Sequence, residues 1–130
     1  MRPEDEHPDD SAPQLAGISA IALATHDMPE SVRFYRALGF SLTFGSADAA
    51  FSTLRCGTSY LNLVFKSDGA TQKWWGRIIF HVSNVDAMFN CAVKNGFAVE
   101  APPRDGEWGE RYFHMTDPAG HELSFAKPLE

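Results

Sequence analysis

Three pairs of residues recur at one separation along this chain: Asp27 and Asn84, Gly39 and Gly96, and Phe40 and Phe97 each stand 57 positions apart. Each pair marks the same event, since Asp and Asn cap helices, Gly ends them, and Phe opens a β-rich run. The chain is therefore an internal duplication. Repeats of this period usually build solenoids, which need about three copies for stability. Two copies must instead bury their apolar faces against each other, which restricts the fold to a pair of equivalent units.

In the first unit, residues 18–25 (ISAIALAT) predict a strand of small, apolar residues. Asp27 or Met28 caps the helix that follows, with Pro29 in the first turn, where a missing N–H costs nothing, and Glu30 at the positive end of the dipole. Val32, Tyr35 and Leu38 recur at helical spacing and Phe34 widens the stripe. Strands are expected at 40–44, 50–55 and 59–65, and a loop at 66–76. The second unit repeats the order: a strand at 77–82, a helix capped by Asn84 with Val85, Met88, Phe89, Ala92 and Val93 on one face, a strand at 97–100, a Pro/Gly-rich loop at 101–109, and a hairpin. The hairpin turns on Asp117-Pro118-Ala119-Gly120, where the Asp side chain can bond its own backbone. In its arms Phe113, Met115, Leu123 and Phe125 alternate with Tyr112, His114, Thr116, Glu122, Ser124 and Ala126. One face is apolar and the other mixed, as in a cavity wall or a solvent-facing hairpin.

The expected class is α+β: two tandem βαβββ modules, residues 17–66 and 77–128, whose paired four-stranded curved sheets enclose a cavity. They form one domain over residues 15–130. The net charge of −6 is concentrated in residues 1–14, whose five acids and one Arg, with three Pro, predict a disordered acidic tail. The body is nearly neutral and has no basic patch, so nucleic acid is not an expected partner. No membrane-length apolar run or secretory signal is present, and a cytoplasmic protein is expected. Cys56 and Cys91 sit singly in apolar runs and read as reduced packing residues.

HDMPESVRFYRALGF in the first unit and GERYFHMTDPAGHELSF in the second resemble the vicinal oxygen chelate superfamily, which includes glyoxalase I, extradiol dioxygenases and the bleomycin resistance proteins. The resemblance implies paired βαβββ modules, a homodimer with a cavity often at its interface and, in the enzymes, a divalent metal held by four side chains, normally His or Glu. Those positions fall on Ala20, Asn62, Arg77 and Ser124. None is a usual ligand and one is a cation, so no metal cofactor is expected there. By strand parity His26 and His81, with His114, share the cavity face. With Glu110 or Glu122 they can form a shifted divalent-metal site or serve as polar lining.

The candidate ligand-binding residues are Arg77, Asn62, Ser124, Trp74, Trp75, Trp108, Tyr60, Tyr112, His81 and His114. Arg77 is expected either to pair with Glu110 or Glu122 or to meet a ligand carboxylate, in which case the cavity prefers a flat anion to a cation. The tryptophans border the cavity or pack against a partner chain. The function expected is metal-free binding of a small, partly aromatic or antibiotic-like molecule in a dimeric cavity, in the style of the bleomycin resistance proteins. The alternative is a lyase, isomerase or dioxygenase with a relocated metal, or with acid–base chemistry by His81, His114 and Glu122.

Overall fold

The computed structural model describes residues 12–68 and 74–130. Most of the expected acidic tail, residues 1–11, lies outside them. The first module runs β1 (Ala20–Thr25), α1 (Met28–Ala37), β2 (Ser41–Phe44), β3 (Phe51–Cys56) and β4 (Ser59–Phe65). The second runs β5 (Arg77–His81), α2 (Val85–Lys94), β6 (Ala98–Val99), β7 (Arg104–Asp105), β8 (Glu110–Thr116) and β9 (Glu122–Pro128). Each module is a sheet in which the first strand lies parallel to the last, in the orders β1-β4-β3-β2 and β5-β9-β8-β6. Neither closes into a barrel.

The duplicated caps act as their chemistry requires. Asp27 accepts from the backbone N–H of Glu30, and Asn84 from that of Ala87, each satisfying an orphan donor of its helix. Gly39 and Gly96 follow the helices at φ +105° and +76°, a region that suits a residue without Cβ. Three expectations need correction. The strand expected at 97–100 shortens to Ala98–Val99, because Pro102 and Pro103 have no N–H to continue the ladder. Past the prolines the expected loop rejoins the sheet, where Arg104–Asp105 pair with Arg111 and Tyr112. In α2 the buried line is Val85 and Ala92, while Val93, about 100° further round, stays 51% exposed rather than joining the core.

One hydrophobic core spans both modules. Leu23, Leu54, Leu61 and Leu63 pack under α1, and Phe113, Met115, Leu123 and Phe125 under α2. Phe34 joins them by packing on Phe97 at 4.6 Å, and Phe40 does so on Phe80 at 5.2 Å. The hairpin turn is a further staple. Tyr35 donates its hydroxyl to Asp117 at 2.6 Å, while the other Asp117 oxygen accepts from the backbone N–H groups of Ala119 and His121. Among the described residues no helix is long and apolar enough to cross a membrane.

Candidate functional site

Strand parity leaves each sheet one face turned away from its helix. On the first sheet that open face carries Ala20, Ala22 and Ala24 in register with Tyr60, Asn62 and Val64, and these in turn with Arg55, Thr53 and Phe51. Its hydrogen bonding is largely internal, since Thr53 donates to the Asn62 side-chain oxygen at 2.7 Å. Phe44, Phe51 and Tyr60 remain 64%, 40% and 41% exposed there.

The open face of the second sheet has the opposite character. Arg77 lies beside Glu122, Ile79 beside Ser124, and Ser124 beside His114 in the ladder. Arg77 donates to Glu122 at 2.7 Å, so the internal pairing is the one realised and the charge available to a ligand anion there is largely compensated. Its Nε is nevertheless buried with no hydrogen-bond partner among the described residues, and so is Nδ1 of His114. A buried donor or acceptor in that condition costs about 1–3 kcal/mol until something bonds to it. Burial, with Arg77 next in importance and Arg104 adding to it, lowers the His114 pKa against the opposing pull of Glu100 and Glu122. The imidazole is held neutral. Glu100, His114, Thr116 and Glu122 line a cleft of about 310 Å³ on this face, near the lower end for small-ligand sites.

An aromatic and charged row continues from there. Tyr112 packs 5.0 Å from His114 and 4.8 Å from Trp108. Glu110 pairs with His81 at 2.8 Å and accepts from the Trp108 indole at 3.2 Å. Tyr60 of the first module meets Ile79 and His81 of the second in a cleft of about 390 Å³, so the two open faces adjoin. A larger cleft of about 430 Å³ lies between the modules against Leu38, Phe40, Phe80 and Met88. It holds neither of the two unpartnered buried atoms, and the open face of the second sheet is the better candidate.

The remaining expected residues are distributed as follows. Ser124 is buried and donates to the Phe113 carbonyl. Trp74 is 67% exposed, and Trp75 donates to Nδ1 of His121 at 2.7 Å. His26 lies past the end of β1 with Asp48 and Phe65 in a separate cleft, because the chain turns there before strand parity can carry it onto the face. The donor set does not fit the metal of the family's enzymes: Ala20 offers no atom, Asn62 and Ser124 are engaged, and Arg77 is a cation. Among the described residues no three of His, Cys, Asp and Glu converge as a metal site.

Sequence reasoning passed over two groups. His121 is buried, and because Nδ1 accepts from Trp75, Nε2 carries the proton and donates to the Ala24 carbonyl at 2.8 Å. Its place in the DPAGH turn was the available signal. Arg104, in the supposed loop, donates from Nε to the Tyr112 hydroxyl at 2.9 Å and lies over that ring at 4.7 Å. Only the return of the chain to β8 reveals it.

Comparison with known proteins agrees with this architecture. A protein from Mycolicibacterium smegmatis, described only as uncharacterized, is 30% identical over 87% of this chain and 95% of its own length. Lactoylglutathione lyase from Agrobacterium tumefaciens superposes with TM-score 0.70 at 18% identity, covering 87% of this chain and 94% of that one. A bleomycin-binding protein complexed with bleomycin does so with TM-score 0.69 at 20% identity, covering 87% and 98%. At those identities the two structures share the fold alone. The family model for the Glyoxalase/Bleomycin resistance protein/Dioxygenase superfamily matches residues 17–125, which takes in both modules, and the chain belongs to that superfamily.

Proposed function

We propose that the protein is a metal-free small-molecule binder of this superfamily, holding a partly aromatic or antibiotic-like organic ligand on the open face of its second sheet without turning it over. The observation that carries this reading is a pair of buried polar atoms, Arg77 Nε and His114 Nδ1, that have no partner among the described residues and lie on one face beside a cleft of ligand size. A ligand that reaches them, accepting from the first and, with the imidazole proton on Nε2, donating to the second, satisfies both. Trp108, backed by the buried Tyr112, supplies ring surface at its border, with His81 and Ile79 at the junction with Tyr60. A second copy completes the cavity as a homodimer, because Phe44, Phe51, Tyr60 and Ile79 leave both open faces with large exposed apolar groups.

The test is binding after exhaustive chelation. Chelated protein titrated with flat aromatic compounds, followed by tryptophan fluorescence, is expected to bind one ligand per chain and to return it unchanged on chromatography. Binding that appears only when a divalent metal is added overturns the reading. Conversion of the ligand favours a second one, acid–base catalysis, for which the observation is the neutral His114 with its free Nδ1 next to Glu122 and Arg77. In that case His114 is the base, and His114→Gln abolishes turnover while leaving the fold intact.

A further inference from the structure

We propose that Arg104 selects a ligand carrying an oxyanion, so that the site described above takes flat aromatic acids in preference to their neutral or cationic counterparts. The inference rests on the small-molecule reading and assigns the ligand class within it. Two guanidinium groups stand on the open face of the second sheet, and they differ in what they can still do. Arg77 is committed through Nη2 to Glu122 at 2.7 Å, which largely compensates its charge, and its buried Nε is a single donor. Arg104 has no carboxylate within ion-pair distance among the described residues. The acids around it are engaged elsewhere: Asp105 holds Arg111 at 3.0 Å, Glu110 holds His81 at 2.8 Å, and Glu122 holds Arg77. Glu100 forms no ion pair with it.

Arg104 is nonetheless held in place. Its Nε donates to the Tyr112 hydroxyl at 2.9 Å and its Cζ lies 4.7 Å from the Tyr112 ring centroid, while Tyr112 itself is only 9% exposed. Anchored there through Nε, the exposed Arg104 makes no hydrogen bond from its two terminal nitrogens among the described residues, which leaves the edge that bears them available. That edge matches a carboxylate or sulfonate bidentately, with much of the ordering cost already met by the protein. Trp108, its ring centroid 4.8 Å from that of Tyr112 and its side chain 63% exposed, offers an adjoining surface for the body of such a ligand. The Arg104 charge also reaches His114, helping to keep that imidazole neutral and therefore able to make an uncharged hydrogen bond at the ligand's far end. The arrangement gives the ligand a direction: anion at Arg104, ring along the exposed Trp108, neutral polar groups toward Arg77 Nε and His114 Nδ1. Long-range steering contributes little, since most of the chain's negative charge lies in the first 14 residues and the body is nearly neutral.

Three probes of one shape test this: 2-naphthoate, 2-naphthamide and 2-naphthylmethylammonium, titrated by ligand-observed NMR at about 0.1 M ionic strength. The wild type is expected to bind the acid about tenfold more tightly than the amide, which corresponds to about 1.4 kcal/mol, and the ammonium compound most weakly. Arg104→Gln is expected to bring the acid-to-amide ratio to about one, whereas Arg77→Gln weakens acid and amide together and keeps their ratio near the wild-type value of about ten. Circular dichroism confirms that both variants fold. Equal wild-type affinities for acid and amide, or a ratio that survives Arg104→Gln, overturn the assignment while the small-molecule reading stands. Failure of all three probes to bind overturns both.

Discussion

The two modules share a topology and differ at the positions that matter for packing and for chemistry. Applying the 57-residue step, Phe34 of α1 corresponds to Cys91 of α2, Tyr35 to Ala92, and Val32 to Phe89. In α1 five residues are buried, two of them aromatic, and they reach both sheets; in α2 only Val85 and Ala92 are. The open faces diverge in the other direction. Small and apolar groups dominate the first, while the second concentrates Arg77, Arg104, Glu110, Glu122, His81 and His114. A duplicated fold thus divides the work, with one helix serving as the bolt between modules and the opposite sheet carrying the polar site. The caps and stops remain alike because backbone groups at helix ends need partners whatever the module does.

If α1 is the bolt, the largest stability difference lies at equivalent positions of the two helices. Phe34 is 1% exposed and packs on Tyr35 and Phe97, so Phe34→Ala leaves a cavity at the junction. A loss of about 3–5 kcal/mol is expected in urea denaturation. Cys91→Ala, which removes only a half-buried thiol and its 3.3 Å contact with the Ala37 carbonyl, is expected to cost less than about 1 kcal/mol. Similar losses for the two would mean that the helices contribute alike and that the asymmetry read from burial is not energetic.

How far the sequence carried this picture depends on the range of the interactions. The caps at Asp27 and Asn84 and the glycines after each helix are local, and the alternation along the hairpin places Tyr112, His114, Glu122 and Ser124 on one face with no knowledge of the rest of the fold. Arg77 and His81 join them by the same period. What parity cannot supply is partnership across the chain. Whether Arg77 meets Glu110 or Glu122 depends on the parallel register of β5 on β9, which sets Arg77 opposite Glu122 and leaves Glu110 to His81. Arg104 was hidden because two prolines announce a loop, and the chain rejoins the sheet only through its pairing with β8. Asp117 bonds its own turn with one oxygen, as its place before Pro118 predicts, while the claim of Tyr35 on the other spans 82 residues.

That second claim gives the next test of the junction. Tyr35→Phe keeps the ring and removes the donor, leaving one oxygen of a buried carboxylate without its bond, and a cost of about 2 kcal/mol is expected. Burial pushes the Tyr35 pKa well above its ordinary 10.0, with the Asp117 charge and hydrogen bond adding to the shift. The folded state therefore keeps the proton longer than the unfolded chain. The associated stability is fully present below about pH 10 and is lost as pH rises beyond it. Tyr35→Phe should flatten that alkaline decline. An equal decline in wild type and variant would place the alkaline sensitivity elsewhere and remove the Tyr35 staple as its source.

The smallest expected effect isolates the polar face. On the first sheet the open face described above holds no histidine or carboxylate, whereas on the second His114 is lowered from its ordinary 6.5 by burial and then by Arg77, with Arg104 in the same sense and Glu100 and Glu122 opposed. Its folded pKa lies below the unfolded one, so between the two the unfolded chain binds more protons. Stability from this group is complete above about pH 6.5 and is lost as pH falls below it, the reverse of what a histidine gaining a carboxylate partner would give. Since the ring is only partly buried, the change is modest and must be read as a difference between proteins. Urea midpoints compared between about pH 7.5 and pH 5.5 are expected to fall further for wild type than for His114→Gln, which keeps a polar side chain there and cannot titrate. If the two fall in parallel, His114 is solvated like a surface histidine. The buried, unpartnered Nδ1 on which the ligand reading rests would then be satisfied by water.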